Sequence, residues 1–245
     1  MDNAIYVGLS RQIVLRREME IIANNIANLD TNGFKVESLI QKTDPAFPAV
    51  TMGGPKPVKF VAPDGVARDF GQGVLIKTGG SLDMAIEGQG FFQVQGPDGA
   101  RFTRDGRFTT DPTGRLVTQG GLPVLDESGG EIVIDTEKGE VSIGPDGSMS
   151  QGNERVGKVG VYTFANAGAL EKSGDNLYRN TSNLTAEKAE EAKVRQGHLE
   201  SSNVKPVLEI TRMVEVSRAY EQTTRMMDAE AELSRRAVDR LGRIQ

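Results

Sequence analysis

Residues 15–33 read LRREMEIIANNIANLDTNG, and this stretch decides how the N-terminal end of the chain is organised. Its apolar residues follow a four-three-four-three spacing: Leu15, Met19, Ile22, Ile26 and Leu29. This spacing places them on one face of an α-helix, as in the seam of a coiled coil. A shorter stripe with i, i+4 spacing precedes it: Ile5, Leu9 and Ile13. We therefore predict a helix from about Asn3 to Ala27 with an apolar face along its length.

The predicted helix should end in a turn within residues 28–33. Asn and Gly adopt positive φ at low cost, so Asn32-Gly33 can redirect the chain there. Phe34 follows the turn, and it can pack back onto the helix or onto a neighbouring subunit. Gly33 and Phe34 are therefore candidates for a joint between the helix and the rest of the chain.

A second, longer helix is predicted at the other end of the chain, from about Lys205 to Leu241. At ~1.5 Å per residue it would be roughly 55 Å long, which exceeds the diameter of a small domain. A helix of this length needs a partner along most of it. Its apolar stripe drifts slowly around the helix and comprises Met213, Val216, Tyr220, Thr223, Met227, Leu233, Ala237, Leu241 and Ile244.

The periodicity leaves two arrangements of these helices open. They can pair with each other in one monomer, or they can pair with helices of other subunits in a polymer. Asn24, Asn25 and Asn28 interrupt the N-terminal stripe. A buried Asn can set the register between helices, and turn or cap chemistry explains these residues equally well.

The centre of the chain differs from its ends, because all but three of the 29 glycines and all but one of the 10 prolines lie in residues 36–200. We divide the chain into an N-terminal helix and turn (1–35), an extended linker or loop (36–74), a β-rich domain (75–180), a connector (181–200) and a C-terminal helix (201–245). In 75–180, apolar residues alternate with polar ones and turn signals recur, for example Gly96-Pro97-Asp98-Gly99. The connector is polar with some helix tendency from Ala186 to Val194. The predicted fold class is α+β, with long terminal helices in a coiled-coil-like core and a central, mostly antiparallel β domain.

The residue types argue against catalysis and against bound cofactors or metals. His198 is the only histidine and there is no cysteine, so neither a cysteine–histidine pair nor a multi-histidine metal site can form, and we interpret His198 as a packed or solvated side chain without the partners of a triad. Gly88-Gln89-Gly90 lacks the third glycine and the following helix of a dinucleotide site. The net charge of -5 argues against nucleic acid as a partner. No window resembles a membrane span or a cleaved signal peptide.

Several segments resemble the flagellar basal-body rod and hook protein family. Residues 24–35, NNIANLDTNGFK, resemble the family signature that ends in Gly-Phe-Lys. Residues 82–92, LDMAIEGQGFF, and 102–108, FTRDGRF, resemble two central segments of the family. Residues 207–221 resemble its closing helix. Within the family, the opening ten residues are most similar to the proximal rod proteins, although Leu9-Ser10-Arg11 replaces the usual Ser-Gly pair.

The resemblance implies a structural subunit of the flagellar rod, the drive shaft that transmits torque from motor to hook. It implies assembly with copies of itself and with adjacent proximal and distal rod proteins. It also implies export by the flagellar type III apparatus, without a cleaved signal peptide, into the periplasm-spanning basal body. The distal rod protein is an alternative within the family. A periplasmic enzyme or binding protein with helical arms is the alternative from another class.

The residues expected to form the assembly interface are the apolar positions of the two helices and the joint: Ile5, Leu9, Leu15, Met19, Ile22, Ile26, Leu29, Gly33, Phe34, Met213, Val216, Tyr220, Met227, Leu233 and Leu241.

Overall fold

A computed structural model describes residues 2–49, 58–135, 137–182 and 184–242 of the chain. The chain forms two compact units. The helical unit comprises residues 1–27, 37–68 and 205–245, and the β unit comprises 28–36 and 69–204. The chain therefore passes from one unit to the other four times. None of the helices in the described residues is long and apolar enough to cross a membrane.

The helical unit contains two long helices and one β-hairpin. Helix α1 spans Asp2–Ala27 and helix α2 spans Pro206–Gly242, each within one residue of the predicted limits. The hairpin strands are β1 (Glu37–Ala49) and β2 (Val58–Arg68), which pair antiparallel.

The hairpin lies where the sequence predicted an extended loop, and this part of the prediction is corrected. Three of the prolines that suggested a loop lie within the described residues, and they occupy positions that a hairpin tolerates; Pro55 and Pro57 lie outside the described residues. Pro63 stands at a register shift of the ladder, opposite Gln41, and Pro45 and Pro48 fall between the paired residues Asp44 and Ala49. A two-stranded hairpin also has no central strand, so a missing backbone donor interrupts little of the ladder.

The described residues of the β unit form fifteen further strands. In chain order they are β3 (Leu75–Lys77), β4 (Met84–Glu87), β5 (Phe91–Gly96), β6 (Gly99–Thr103), β7 (Phe108–Thr110), β8 (Leu116–Thr118), β9 (Val141–Ile143), β10 (Ser148–Gln151), β11 (Glu154–Lys158), β12 (Val161–Thr163), β13 (Glu171–Lys172), β14 (Leu177–Arg179), β15 (Glu187–Lys188), β16 (Lys193–Gln196) and β17 (His198–Glu200). A 3₁₀ turn spans Ala167–Ala169.

The strands of the β unit pair antiparallel throughout the described ladders. The largest sheet has six strands in the order β13-β14-β6-β5-β12-β15, and a second sheet has the order β11-β10-β9. The predicted turn at 96–99 joins β5 to β6. The α+β class with terminal helices and a central antiparallel domain is thereby confirmed.

Residues 181–200 do not form a separate connector with helical character. They supply β15, β16 and β17, which pair with β12, β4 and β3. The physical reason is tertiary burial: Val194 and Leu199 are buried in the β unit, and this outweighs a weak local helix preference.

Candidate functional site: the helix pair and the chain crossing

The apolar face of α1 packs against α2 in the same chain. Leu15, Ile22 and Val216 form its buried centre. Met19, Ile26, Met213, Ala219 and Tyr220 pack around them. The structure thus brings together seven predicted interface residues from the two ends of the sequence, within one monomer.

One buried polar contact and one glycine fit the helices to each other. Asn25 is fully buried, and its Nδ2 donates to Glu209 Oε2 of α2 at 2.9 Å. Asn25 also exchanges hydrogen bonds with the backbone of Glu37, the first residue of the hairpin. Gly8 lies directly under Met227, and a Cβ at Gly8 would stand 2.7 Å from Met227 Cγ. Of the two explanations left open for the asparagines, Asn25 therefore adopts the first, because it ties α1 to α2 at one register.

Other predicted interface residues lie elsewhere. Leu9 and Leu233 are largely exposed, Ile5 is half-buried, and Leu29 belongs to the β unit, where it is half-buried. The side chain of Leu241 lies outside the residues that the structure describes.

Both helices carry an exposed apolar row. The row on α1 coincides with the predicted stripe through Leu9 and Ile13, whereas the row on α2 was not predicted as a separate feature. On α1, Leu9 is followed by Ile13, and Tyr6 precedes it at i, i+3 spacing. On α2, the row consists of Val207, Ile210 and Val214, which are 77%, 54% and 43% exposed. The spacing of three and four residues was a visible signal, but the sequence alone does not say which of two apolar faces the monomer covers.

The joint residues Gly33 and Phe34 lie inside the β unit. Gly33 has φ +69°, and a Cβ there would stand 2.5 Å from the backbone of Arg104. Phe34 is buried, with the Lys172 amine 4.5 Å from its ring centroid. Phe34 is thus covered within the chain and does not lie on an exposed surface.

A buried ionic cluster adjoins this joint, and the sequence reasoning did not find it. Glu200 Oε1 accepts a hydrogen bond from Lys35 Nζ, and Glu200 Oε2 lies 3.1 Å from Arg104 Nη1. The three side chains are 0–2% exposed. Burial lowers the pKa of the Lys35 amine, and the positive charge of Arg104 lowers it further, while Glu200 partly offsets both. Burial likewise lowers the pKa of Arg104.

Neither the helix pair nor the cluster has the elements of a catalytic site. His198 makes a local contact, with its Nδ1 2.8 Å from the Gln196 carbonyl. The described residues contain no group of three or more His, Cys, Asp or Glu placed to hold a metal ion. What the geometry offers is a pair of long helices with exposed apolar rows and, as a separate unit, a β domain with its own core.

Three family profiles match the chain in order along it. Residues 5–35 match the flagella basal body rod protein family, 85–151 the flagellar hook protein FlgE/F/G D1 domain, and 195–240 the flagellar basal body rod FlgEFG protein C-terminal family. The chain is 57% identical to the flagellar basal-body rod protein FlgF of Caulobacter vibrioides over 100% of both chains. It is 36% identical to FlgF of Mesorhizobium japonicum over 99% of both, and 33% identical to FlgG of Bacillus subtilis over 98% and 99%.

Proposed function

The chain belongs to the flagellar basal-body rod protein family, and we propose that it is a structural subunit of the proximal rod. It is a component of the flagellar basal body that assembles with other rod subunits, and it is not an enzyme. The observation that carries the proximal assignment is the full-length identity of 57% to a FlgF protein. The distal alternative has less support, because the FlgG relative from Bacillus subtilis matches at 33%.

The exposed rows of the terminal helices support a role in assembly. Tyr6, Leu9 and Ile13 on α1, and the row from Val207 to Val214 on α2, are large apolar side chains in contiguous helical rows. Monomeric proteins rarely expose contiguous apolar patches, and such patches commonly mark interfaces. In this proposal the rows pack against terminal helices of neighbouring rod subunits, which builds a coiled-coil-like core.

The two apolar faces of the helices then have different tasks. The face centred on Leu15, Ile22 and Val216 holds each subunit together. The exposed face, which includes Leu9 and Leu233, joins subunits. An interface between two different patches that does not close on itself generates a helical array, as a tubular drive shaft requires.

Export by the flagellar type III apparatus and a position across the periplasm complete the proposal. They are supported by the family resemblance and by the absence of cysteine, since a chain without thiols can pass through a channel unfolded without forming disulfides. Transmission of torque from motor to hook follows from the shaft-like arrangement.

The test replaces the chromosomal gene with one that encodes a substitution in the exposed row of α2. Ile210→Asp puts a charge on a side chain that is 54% exposed in the monomer. We expect a stability of the purified chain within about 0.5 kcal/mol of wild type, as for ordinary surface substitutions. Cells should nevertheless be non-motile and lack hooks, because the charge would be buried on assembly.

The matched control is Gln222→Asp, at an exposed polar position of the same helix. These cells should swim normally. Normal swimming of the Ile210→Asp strain would contradict the assembly role of this row. Electron microscopy of isolated basal bodies with the chain labelled tests the proximal position, and label at the hook-proximal end of the rod would favour the distal alternative.

A further inference from the structure

Three segments that are far apart in sequence meet at one point of the β unit. The incoming segment is 32–36, the middle segment is 69–73 and the outgoing segment is 200–204. Each of them borders a position where the chain passes between the β unit and the helical unit. Whatever fixes these segments therefore fixes where the chain leaves the β unit.

Backbone and amide hydrogen bonds join the three segments. Gly33 N donates to the Glu200 carbonyl at 2.7 Å, and Val36 N donates to Asn203 Oδ1 at 2.8 Å. Asn203 Nδ2 donates in turn to the carbonyls of Asp69 and Gly71 at 2.8 and 3.0 Å. The incoming segment thus rests on the outgoing one, and both rest on the middle one.

The ionic cluster lies where the three segments meet. One of its residues comes from the incoming segment, one from the outgoing segment and one from elsewhere in the β unit. Lys35 belongs to the incoming segment, Glu200 to the outgoing segment, and Arg104 follows β6 of the β unit. Lys35 Nζ also donates to the Gly71 carbonyl at 2.8 Å, and Gly73 N donates to Glu200 Oε1 at 2.8 Å. The cluster therefore contacts all three segments with charged or charge-assisted hydrogen bonds, which are stronger than neutral ones.

The charges of the cluster make its members interdependent. Two buried cations share the carboxylate of Glu200, while Asp69, the other acidic group that acts on Lys35, is exposed. A buried ion pair need not stabilise a fold, but loss of one partner leaves an uncompensated charge, which is strongly unfavourable. If Glu200 leaves the site, two cations remain buried without it.

We propose that Lys35, Arg104 and Glu200 form a latch that couples the docking of the incoming and outgoing segments, so that neither segment stays in place on the β unit without the other. The latch joins residues 165 positions apart. The incoming and outgoing segments then dock on the β unit in one cooperative step.

The competing explanation is that each segment docks on its own. The incoming segment has a separate anchor in buried Phe34, and the outgoing one has an anchor in Val204, which is 7% exposed. Under independent docking, a change in one segment would loosen that segment alone. The experiment must therefore measure the local opening of one segment while a residue of the other segment is substituted.

The first measurement is amide hydrogen exchange of the full chain carrying Glu200→Gln, which keeps the size of the side chain and removes its charge. We expect the Phe34 amide, which donates to the Thr31 carbonyl of the preceding turn and not to the outgoing segment, to exchange at least about tenfold faster than in wild type, because local opening becomes easier. Reciprocally, Lys35→Met should accelerate exchange at Ser201, which donates to the Val74 carbonyl and not to the incoming segment. The matched control is Glu87→Gln, which breaks a half-exposed pair with Arg195 and should leave both segments unchanged.

The second measurement remains informative even if Glu200→Gln does not fold alone. The double variant Lys35→Met with Glu200→Gln leaves one unpaired cation rather than two, so it should be more stable than Glu200→Gln, with a higher melting temperature. Exchange of the Phe34 amide within twofold of wild type in Glu200→Gln would overturn the proposal. A double variant less stable than Glu200→Gln would overturn it as well.

Discussion

The β unit and the helical unit bury their apolar residues to very different extents. The larger core cluster of the β unit contains fifteen buried side chains, and a second one is built around Phe91, Phe102 and Tyr178. The cluster between α1 and α2 has three, while several large apolar residues of both helices stay exposed. The difference teaches that the β unit buries most of its large apolar residues by itself, whereas the helix pair leaves many of its own exposed in the monomer, as the proposed assembly role requires.

The largest loss of stability is expected from a substitution in the core of the β unit. Phe92 is fully buried and makes an edge contact with Phe108 at 5.2 Å between ring centroids. Phe92→Ala should cost about 3–5 kcal/mol of unfolding free energy, as for aromatic truncations in closed cores. Chemical denaturation of the purified chain measures the loss. Val133→Ala, at a residue that is 55% exposed, is the control and should cost under about 0.5 kcal/mol. A loss below about 1 kcal/mol for Phe92→Ala would contradict a closed core.

A smaller loss is expected at Gly33, where the incoming segment contacts the Arg104 backbone within the β unit. Gly33→Ala adds a side chain at positive φ and places its Cβ 2.5 Å from the Arg104 backbone. The expected cost is roughly 2–4 kcal/mol, of which about 1–2 comes from φ and the rest from overpacking. Gly79→Ala is a matched control, because Gly79 has φ +79° but no atom within 4 Å of its Cβ position. Equal melting temperatures of the two variants would show that the close approach at Gly33 carries no cost.

The helix pair should respond separately from the β unit. Ile22→Asp places a charge among the buried residues of α1 and should destabilise the helix pair by about 1–3 kcal/mol. Hydrogen exchange should accelerate in α1 and α2 and remain slow in the strands. The control Ala23→Asp introduces the same charge at the neighbouring position, which is exposed, and should leave exchange unchanged. Uniform acceleration in both units would show that they unfold together.

The smallest expected effect concerns Lys35. Its pKa in the folded chain lies below the ordinary value of 10.5, so the unfolded chain binds a proton more readily in the pH window just below that value. Stability linked to this group should therefore rise as the pH increases through that window and fall again as the pH is lowered. Melting curves of wild type and Lys35→Met, compared at matched pH, isolate the contribution. The same dependence of melting temperature on pH in both chains would contradict this contribution of Lys35.

The sequence by itself determined the features that depend on near neighbours along the chain. The three- and four-residue spacing of apolar positions set α1 and α2 to within one residue of their observed ends. The Asn32-Gly33 pair located the turn, where Gly33 has positive φ, and the motifs at residues 24–35, 82–92 and 102–108 identified the family. Each of these signals lies within a single segment, so no distant residue was needed to interpret it.

The tertiary structure alone decided the features that depend on residues far apart. Prolines suggested a loop at 36–74, and only the pairing of β1 with β2 shows a hairpin whose register shifts accommodate Pro63. Periodicity marked apolar faces, but only contact with Val216 shows that Ile22 is covered within the monomer while Ile210 is not. Lys35, Arg104 and Glu200 carried no signal as ordinary charged residues. Their meeting depends on a fold that closes a separation of 165 residues, and burial is a property of that closed fold rather than of any local pattern.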